Sequence, residues 1–188
     1  AGPDKWSPMM LFGVIQKIMS SLLTQRFPPL LEDRGLKEQF GFQRSMGTTD
    51  ASFVVRQAIN LRHEAGKDTW VLFVDLVKAF ERIPYRVLLR EAKRLGYPLR
   101  LLRLAIATYK MPRVVRVGAA YSDLVWATRG IVAGSGNATS EMRLVMIDIV
   151  DSVMKHHPTV IPTLFVDDLS IELSGEHDHI LFHITGFT

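Results

Sequence analysis

Cysteine is absent from the 188 residues, which excludes disulfide scaffolds, thiolate zinc sites and cysteine nucleophiles and fits a reducing compartment. No run approaches the ~18 consecutive apolar residues that a membrane span needs. The segment Met9–Ile15 is followed by Gln16-Lys17 instead of a small-residue cleavage site, so it reads as part of a helix and not as a signal peptide. The expectation is an intracellular protein without a membrane partner. Glycine (13) and proline (9) stay close to average usage, excluding collagen-like and low-complexity chains. There is no internal repeat and no linker long enough to separate independent domains. Gly130–Gly136 is glycine-rich before a helix, a place where anions bind. It lacks the Gly-Lys-Ser/Thr of a P-loop, which argues against an ATPase. His177, His179 and His183 cluster near the end without an H-E-x-x-H pattern, and terminal exposed histidines explain them better than a metal site.

What is present is ordinary in bulk: 47% hydrophobic, 22% charged, net charge +4. A chain of this length buries roughly 70% of its extended surface, enough for one domain or a small two-lobed unit. The charge is unevenly spread. Residues 1–81 carry 10 Lys/Arg and 9 Asp/Glu, residues 82–116 carry 10 and 1, and residues 117–188 carry 3 and 9. A basic block beside an acidic one is expected where one surface meets a polyanion and another gathers cations. A solvated helix face is the plainer reading of the basic block, because Arg86, Arg90, Lys93 and Arg94 lie opposite Val87, Leu88 and Leu95.

Periodicity predicts a helix over 10–27, ended by Pro28-Pro29, and a second helix capped by Thr48-Thr49-Asp50 and closed by Gly66. Its apolar stripe is Ala51, Val54, Val55, Ala58 and Leu61. Trp70–Val74 is a continuous apolar run, as in a strand buried on both faces, and Asp75 stands at its end. Helices are expected over 85–95 and 99–109, strands over 114–117 and 124–128, and a buried helix over 142–154. Thr163–Val166 and Leu169–Leu173 read as a hairpin with Asp167-Asp168 in its turn. Strands mixed with unevenly spaced helices give an α+β layer fold.

Taken alone, Asp167-Asp168 is explained by a tight turn, where Asp is a normal choice. Asp75 ends a second apolar strand in the same manner. If the two strands are sheet neighbours, three carboxylates converge at one edge and need a cation. Hard oxygen ligands select Mg²⁺ or Mn²⁺. Two such ions ~3.5–4 Å apart activate an attacking oxygen and stabilise a leaving one. Asp75 and Asp167 are then expected within one such cluster. A site of few carboxylates also implies a substrate that brings phosphates.

Phe73-Val74-Asp75-Leu76-Val77-Lys78-Ala79-Phe80-Glu81 resembles the first palm motif of reverse transcriptases, F-x-D-x-x-K-A-F-D. Phe165-Val166-Asp167-Asp168 resembles their [FY]-x-D-D motif. Gly41-Phe42 with Thr48, Thr49 and Asp50 is similar to the fingers segment G-F-…-S-T-x-D-A, and Arg129-Gly130-Ile131 with Gly134-Ser135 to R-G-[VI]-x-Q-G. The ordered set covers about residues 6–175 and is closest to the domains of non-LTR retrotransposons and group II introns. The resemblance implies an α+β polymerase palm, an antiparallel sheet backed by helices, over 69–188, with a partial helical fingers region over 1–68 and no thumb. It implies template-directed DNA synthesis by RNA-directed DNA polymerase chemistry, with two Mg²⁺ (or Mn²⁺) ions, an RNA or DNA template with primer, and deoxynucleoside triphosphates. In that reading Asp75, Asp167 and Asp168 are catalytic and hold the metals with the backbone carbonyl of Val74. Lys78, Ala79, Phe80, Gly134 and Ser135 adjoin the nucleotide, Phe80 blocking a ribose 2′-hydroxyl. Arg44, Val166, Arg113 and Arg116 adjoin the nucleic acid. Without the motif, Phe80 reads as a core aromatic.

The departures fall on substrate contacts. Ser7 stands where the family has an arginine, Gln43 and Met46 stand near basic positions with Arg44 alone basic, and Ala133 replaces a glutamine. Such cations stabilise a transferring phosphoryl group. The chain begins at Ala1 and ends at Thr188, which is expected of a piece of a longer product. The rival reading is an inactive remnant with at most weak nucleic-acid binding. A two-metal nuclease would have no reason to carry the fingers-like segment.

Overall fold

The computed structural model describes Val14, Lys17, Ile18 and residues 47–132 and 134–174, with elements α1 (Thr48–Glu64), β1 (Thr69–Val74), α2 (Ala79–Arg82), α3 (Tyr85–Leu95), α4 (Leu99–Tyr109), β2 (Arg116–Val117), β3 (Ala120–Tyr121), α5 (Ala138–His156), β4 (Ile161–Phe165) and β5 (Asp168–Ser174). The mixed helices and antiparallel sheet are those of an α+β fold. Two compact units form, one from Ala1–Leu31 with Lys78–Val145 and one from Glu32–Val77 with Met146–Thr188. The fingers–palm boundary expected at 68/69 thus falls inside the second unit. Of the helix expected over 10–27, the described residues Val14, Lys17 and Ile18 are helical. The terminal histidines lie outside the described residues.

In the second unit the sheet order is β1-β5-β4, antiparallel throughout. Leu169, Ile171 and Leu173 alternate along β5 and are buried, with Leu164 of β4 on the same side. This period-2 face carries the unit's apolar core. The opposite face carries Ser170 and Glu172, and α1 supplies the partner for the acid: Arg62 Nη1 donates to Glu172 Oε2 at 2.9 Å. Glu172 is almost fully buried. Burial pushes its carboxyl above the ordinary range, and Arg62 opposes the shift. The N-terminus of α1 is fixed by Asp50, whose carboxylate accepts the Gly47 N–H at 2.7 Å.

Three expectations are corrected here. Trp70–Val74 is not buried on both faces: among the described residues β1 is an edge strand of an antiparallel sheet, and Phe73 is 77% exposed. The α1 stripe is only partly covered, with Ala51 buried and Val55 and Ala58 half-buried but Val54 and Leu61 exposed. The hairpin turn is Val166-Asp167, and Asp168 is already the first residue of β5, paired with Phe165.

In the first unit α3 and α4 pack together through Leu88, Ala92, Leu102 and Ile106. Gly96, at φ 72°, ends α3, returning the Tyr97 N–H to the Ala92 carbonyl at 2.8 Å. The strands expected over 114–117 and 124–128 are displaced. Gly118 (φ 60°) makes a two-residue turn that pairs Arg116 with Tyr121 and Val117 with Ala120, leaving Val125 only a bridge to Arg113. Gly130 is required by close approach: a Cβ there would lie 2.7 Å from the Glu81 carbonyl oxygen. The Gly130 N–H donates to the Ile83 carbonyl and the Ile131 N–H to the Phe80 carbonyl.

Candidate active site

Val74 pairs with Leu169 as the last pair of the β1–β5 ladder, and Asp75 follows Val74 while Asp168 precedes Leu169, so both acids stand at the same end of the two strands. Both side chains are exposed. The strands expected to be neighbours are neighbours, and the reason is the hairpin that returns β5 between β4 and β1. Its turn has a positive φ at the first position, Val166 at 60°, and not at Asp167. That is the pattern of a type II′ turn, which normally places Gly there. A β-branched residue in this region is strained by roughly 1–3 kcal/mol.

Asp75 and Asp168 line one cavity of about 540 Å³. Its floor is the sheet face of Phe73, Thr163, Phe165 and Ser170, and its other wall is α1, with Ser52, Val55 and Arg56. Arg56 is the one basic side chain on that wall. Asp167, in the turn, does not line the cavity. Among the described residues no group of three or more Asp, Glu or His is gathered to hold a metal ion, so two of the three expected carboxylates are brought together and the third is not. The donor set that is there, two open carboxylates, suits a hard divalent cation that completes its shell with substrate phosphates and water.

The remaining expected residues belong to the first unit. Lys78 is exposed and left-handed (φ 53°) at the start of α2, Ala79 and Phe80 are half-buried, and Gly134 (φ 92°) is exposed. Arg116 is exposed, with its guanidinium 5.6 Å from the Tyr121 ring centroid. Arg113 is half-buried and donates to the Tyr109 carbonyl, a structural contact. Arg90 and Arg94 both donate to Glu91, at 2.6 Å each. Burial pushes the Glu91 carboxyl up, and these two bonds outweigh it and leave it below its ordinary value. Part of the basic block is therefore neutralised within its own helix. Arg44, Ser7, Gln43, Met46 and Ala133 lie outside the described residues.

Sequence reasoning missed a buried polar network beside Ser135. The Tyr109 hydroxyl donates to Glu141 Oε2 at 2.8 Å and lies 3.0 Å from Ser135 Oγ. Glu141 and Tyr109 are fully buried. Burial pushes the Glu141 carboxyl up to about 8, against the opposing Tyr109 bond, and raises the Tyr97 and Tyr109 hydroxyls with the acid adding to the shift. The available signal was a lone Glu among the apolar residues of α5.

Asp75 and Asp168 thus share one cavity at the ends of neighbouring antiparallel strands. Residues 1–185 match the family described as reverse transcriptase (RNA-dependent DNA polymerase), and the chain belongs to that family. Over 94 residues, 50% of the chain, it is 28% identical to a protein of Popillia japonica, the retrovirus-related Pol polyprotein from type-1 retrotransposable element R2. The matched stretch covers 13% of that relative's length.

Proposed function

We propose that this chain is the fingers (1–68) and palm (69–188) portion of a retroelement reverse transcriptase of non-LTR type, and that it adds deoxynucleotides to a primer 3′-hydroxyl as directed by an RNA or DNA template. The observation that carries the reading is that Asp75 and Asp168 line one cavity, each next to the Val74–Leu169 pair at the strand ends. These carboxylates, with the Val74 carbonyl and Asp167, would hold two Mg²⁺ or Mn²⁺ ions. When bound, the ions supply Lewis-acid stabilisation of the phosphoryl charge and a more acidic primer hydroxyl. The chain's own part is positioning, which provides most of the catalysis in phosphoryl transfer. Asp75 and Asp168 would hold the cations at the sheet edge, and through them the reacting phosphate would be oriented. Phe80 excludes a 2′-hydroxyl, and Lys78, Ala79, Gly134 and Ser135 border the nucleotide. Val166 abuts the primer end, and Arg44, Arg113 and Arg116 meet backbone phosphates.

The test is addition of a single nucleotide to a DNA primer on an RNA template, with Mg²⁺ or Mn²⁺ at low salt. The expected result is addition of the complementary base only, lost in Asp75→Asn. A second reading, a fold retained for nucleic-acid binding without catalysis, is favoured by one observation: Asp167 does not join the other two carboxylates on the cavity. Tight template–primer binding with no addition under either metal would establish that reading and overturn the first.

A further inference from the structure

The Tyr109 hydroxyl carries one proton and has two partners. It lies 2.8 Å from Glu141 Oε2 and 3.0 Å from Ser135 Oγ, and all three residues belong to the first unit. Glu141 decides which partner receives that proton. An ionised carboxylate only accepts, so Tyr109 donates to Glu141 and Ser135 must donate to Tyr109. A neutral carboxyl has a proton to give across the same contact, so Glu141 donates to Tyr109 and Tyr109 donates to Ser135. The Asn137 N–H also reaches Ser135 Oγ, at 3.4 Å. In the neutral state both lone pairs of that oxygen are then filled from within the protein, and its own proton is left for a partner outside.

The surroundings restrict the choice to these two states. The Ser135 N–H donates to the Val132 carbonyl and its carbonyl accepts the Ala138 N–H, both at 3.0 Å, so the hydroxyl is the part that turns. Ser135 is half-buried between Gly134 and Gly136, which are exposed, so it has an outward side. Glu141 Oε1 has no hydrogen-bond partner, and among the described residues no ion pair reaches this carboxyl. The titratable groups facing it are Tyr109 on α4 and Tyr97 just before that helix, whose ionisation its charge opposes. The buried Arg143 is two residues further along α5, about 200° round the helix axis. Burial without a cation holds the Glu141 carboxyl neutral up to about 8.

We infer that Glu141 and Tyr109 are positioning residues that set the direction of the Ser135 hydroxyl, outward as a donor while Glu141 is neutral and inward when it is ionised. Resting on the proposed function, in which Ser135 borders the nucleotide, the outward proton goes to an acceptor oxygen of the incoming nucleotide. That contact is present at neutral pH and is lost in alkali.

The direction of the hydroxyl is read by nuclear magnetic resonance on the whole chain without catalysis, so this inference and the polymerase reading fail separately. From about pH 6.5 to about 9.5, either side of the Glu141 midpoint, the Cδ resonance of Glu141, the Cζ of Tyr109 and the Cβ of Ser135 are expected to move together. Only the range in which near-ultraviolet circular dichroism shows a folded chain is used. In Tyr109→Phe, Glu141 still titrates and Ser135 no longer follows, a difference that loss of packing alone does not produce. A Ser135 resonance that ignores Glu141 in the native chain, or still follows it in folded Tyr109→Phe, overturns the inference. If Tyr109→Phe does not fold, the native Tyr109 Cζ decides: a flat resonance while Glu141 titrates overturns it equally. Binding of dATP with Mg²⁺, followed by tryptophan fluorescence, is expected to weaken over the same range by about 2- to 13-fold, as for one lost hydrogen bond. It stays level in Tyr109→Phe and Ser135→Ala. An equal alkaline loss in folded Ser135→Ala overturns the nucleotide contact. Coupled titration in a chain that binds no dATP removes the polymerase reading alone.

Discussion

Two hairpins in this chain turn through two residues, and both have φ 60° at the first, Val166 in one and Gly118 in the other. Gly takes that conformation freely, whereas Val is strained in it. The strained turn is the one built into the three-stranded sheet, where Leu164, Leu169 and Ile171 are buried on either side of it. The relaxed turn closes a ribbon exposed on both faces. Strain is tolerated where packing over-determines the backbone, and it occurs where two carboxylates must be presented. The acids differ in the same sense. Asp75 and Asp168 stand open in the second unit, while the first unit encloses Glu141 with Tyr109.

The largest expected effect is on the strained side. Asp75→Asn and Asp168→Asn should each lower nucleotide addition by about 10³-fold or more, ~4 kcal/mol of barrier. Melting should hardly change, since both residues are exposed. Primer extension beside thermal melting checks this.

The buried acid should act through stability instead. Glu141 keeps its proton in the folded state up to about 8, against 4.5 for the free side chain. Between those values the unfolded chain has lost the proton and the folded one has not. Stability is therefore full below about 4.5 and declines as pH rises through 8. The decline is up to about 4–5 kcal/mol at ~1.4 kcal/mol per unit. Urea melts from pH 5 to 8 should show this fall, and Glu141→Gln should flatten it.

A comparable effect is expected where the second unit does enclose an acid. Arg62→Met leaves Glu172 buried without its cation and should cost about 3–5 kcal/mol, measured by urea unfolding at neutral pH. The smallest effects come from exchanging the two turn residues. Gly118→Val should cost ~1–3 kcal/mol, whereas Val166→Gly should be neutral or stabilising by up to about 1 kcal/mol. Equal losses at both turns would break the contrast between them.

Much of this was readable from residue order. The Gly96 cap, the end of the first strand at Asp75 and the acidic hairpin all follow from local rules. The family follows from the motif order. What was not readable depended on partners distant in sequence. Trp70–Val74 looks like a central strand because apolar runs do not reveal whether a neighbour lies on one side or both. The register of the acidic hairpin was misplaced by one residue because Val is an improbable occupant of a left-handed position. Glu141 stood out only as a lone Glu among apolar residues, because its partner Tyr109, which also bonds Ser135, comes from a distant part of the chain. Gly130 was read as a motif letter. Its cause, the Glu81 backbone beneath it, is a tertiary contact.

The central claim is that Asp75 and Asp168 together bind the metal that meets the nucleotide. Mn²⁺ binding followed by electron paramagnetic resonance, with and without a deoxynucleoside triphosphate, tests it most directly. The account predicts that the nucleotide tightens Mn²⁺ binding by the native chain, and that Asp75→Asn and Asp168→Asn each weaken it at least tenfold. Affinity unchanged in both variants would contradict it.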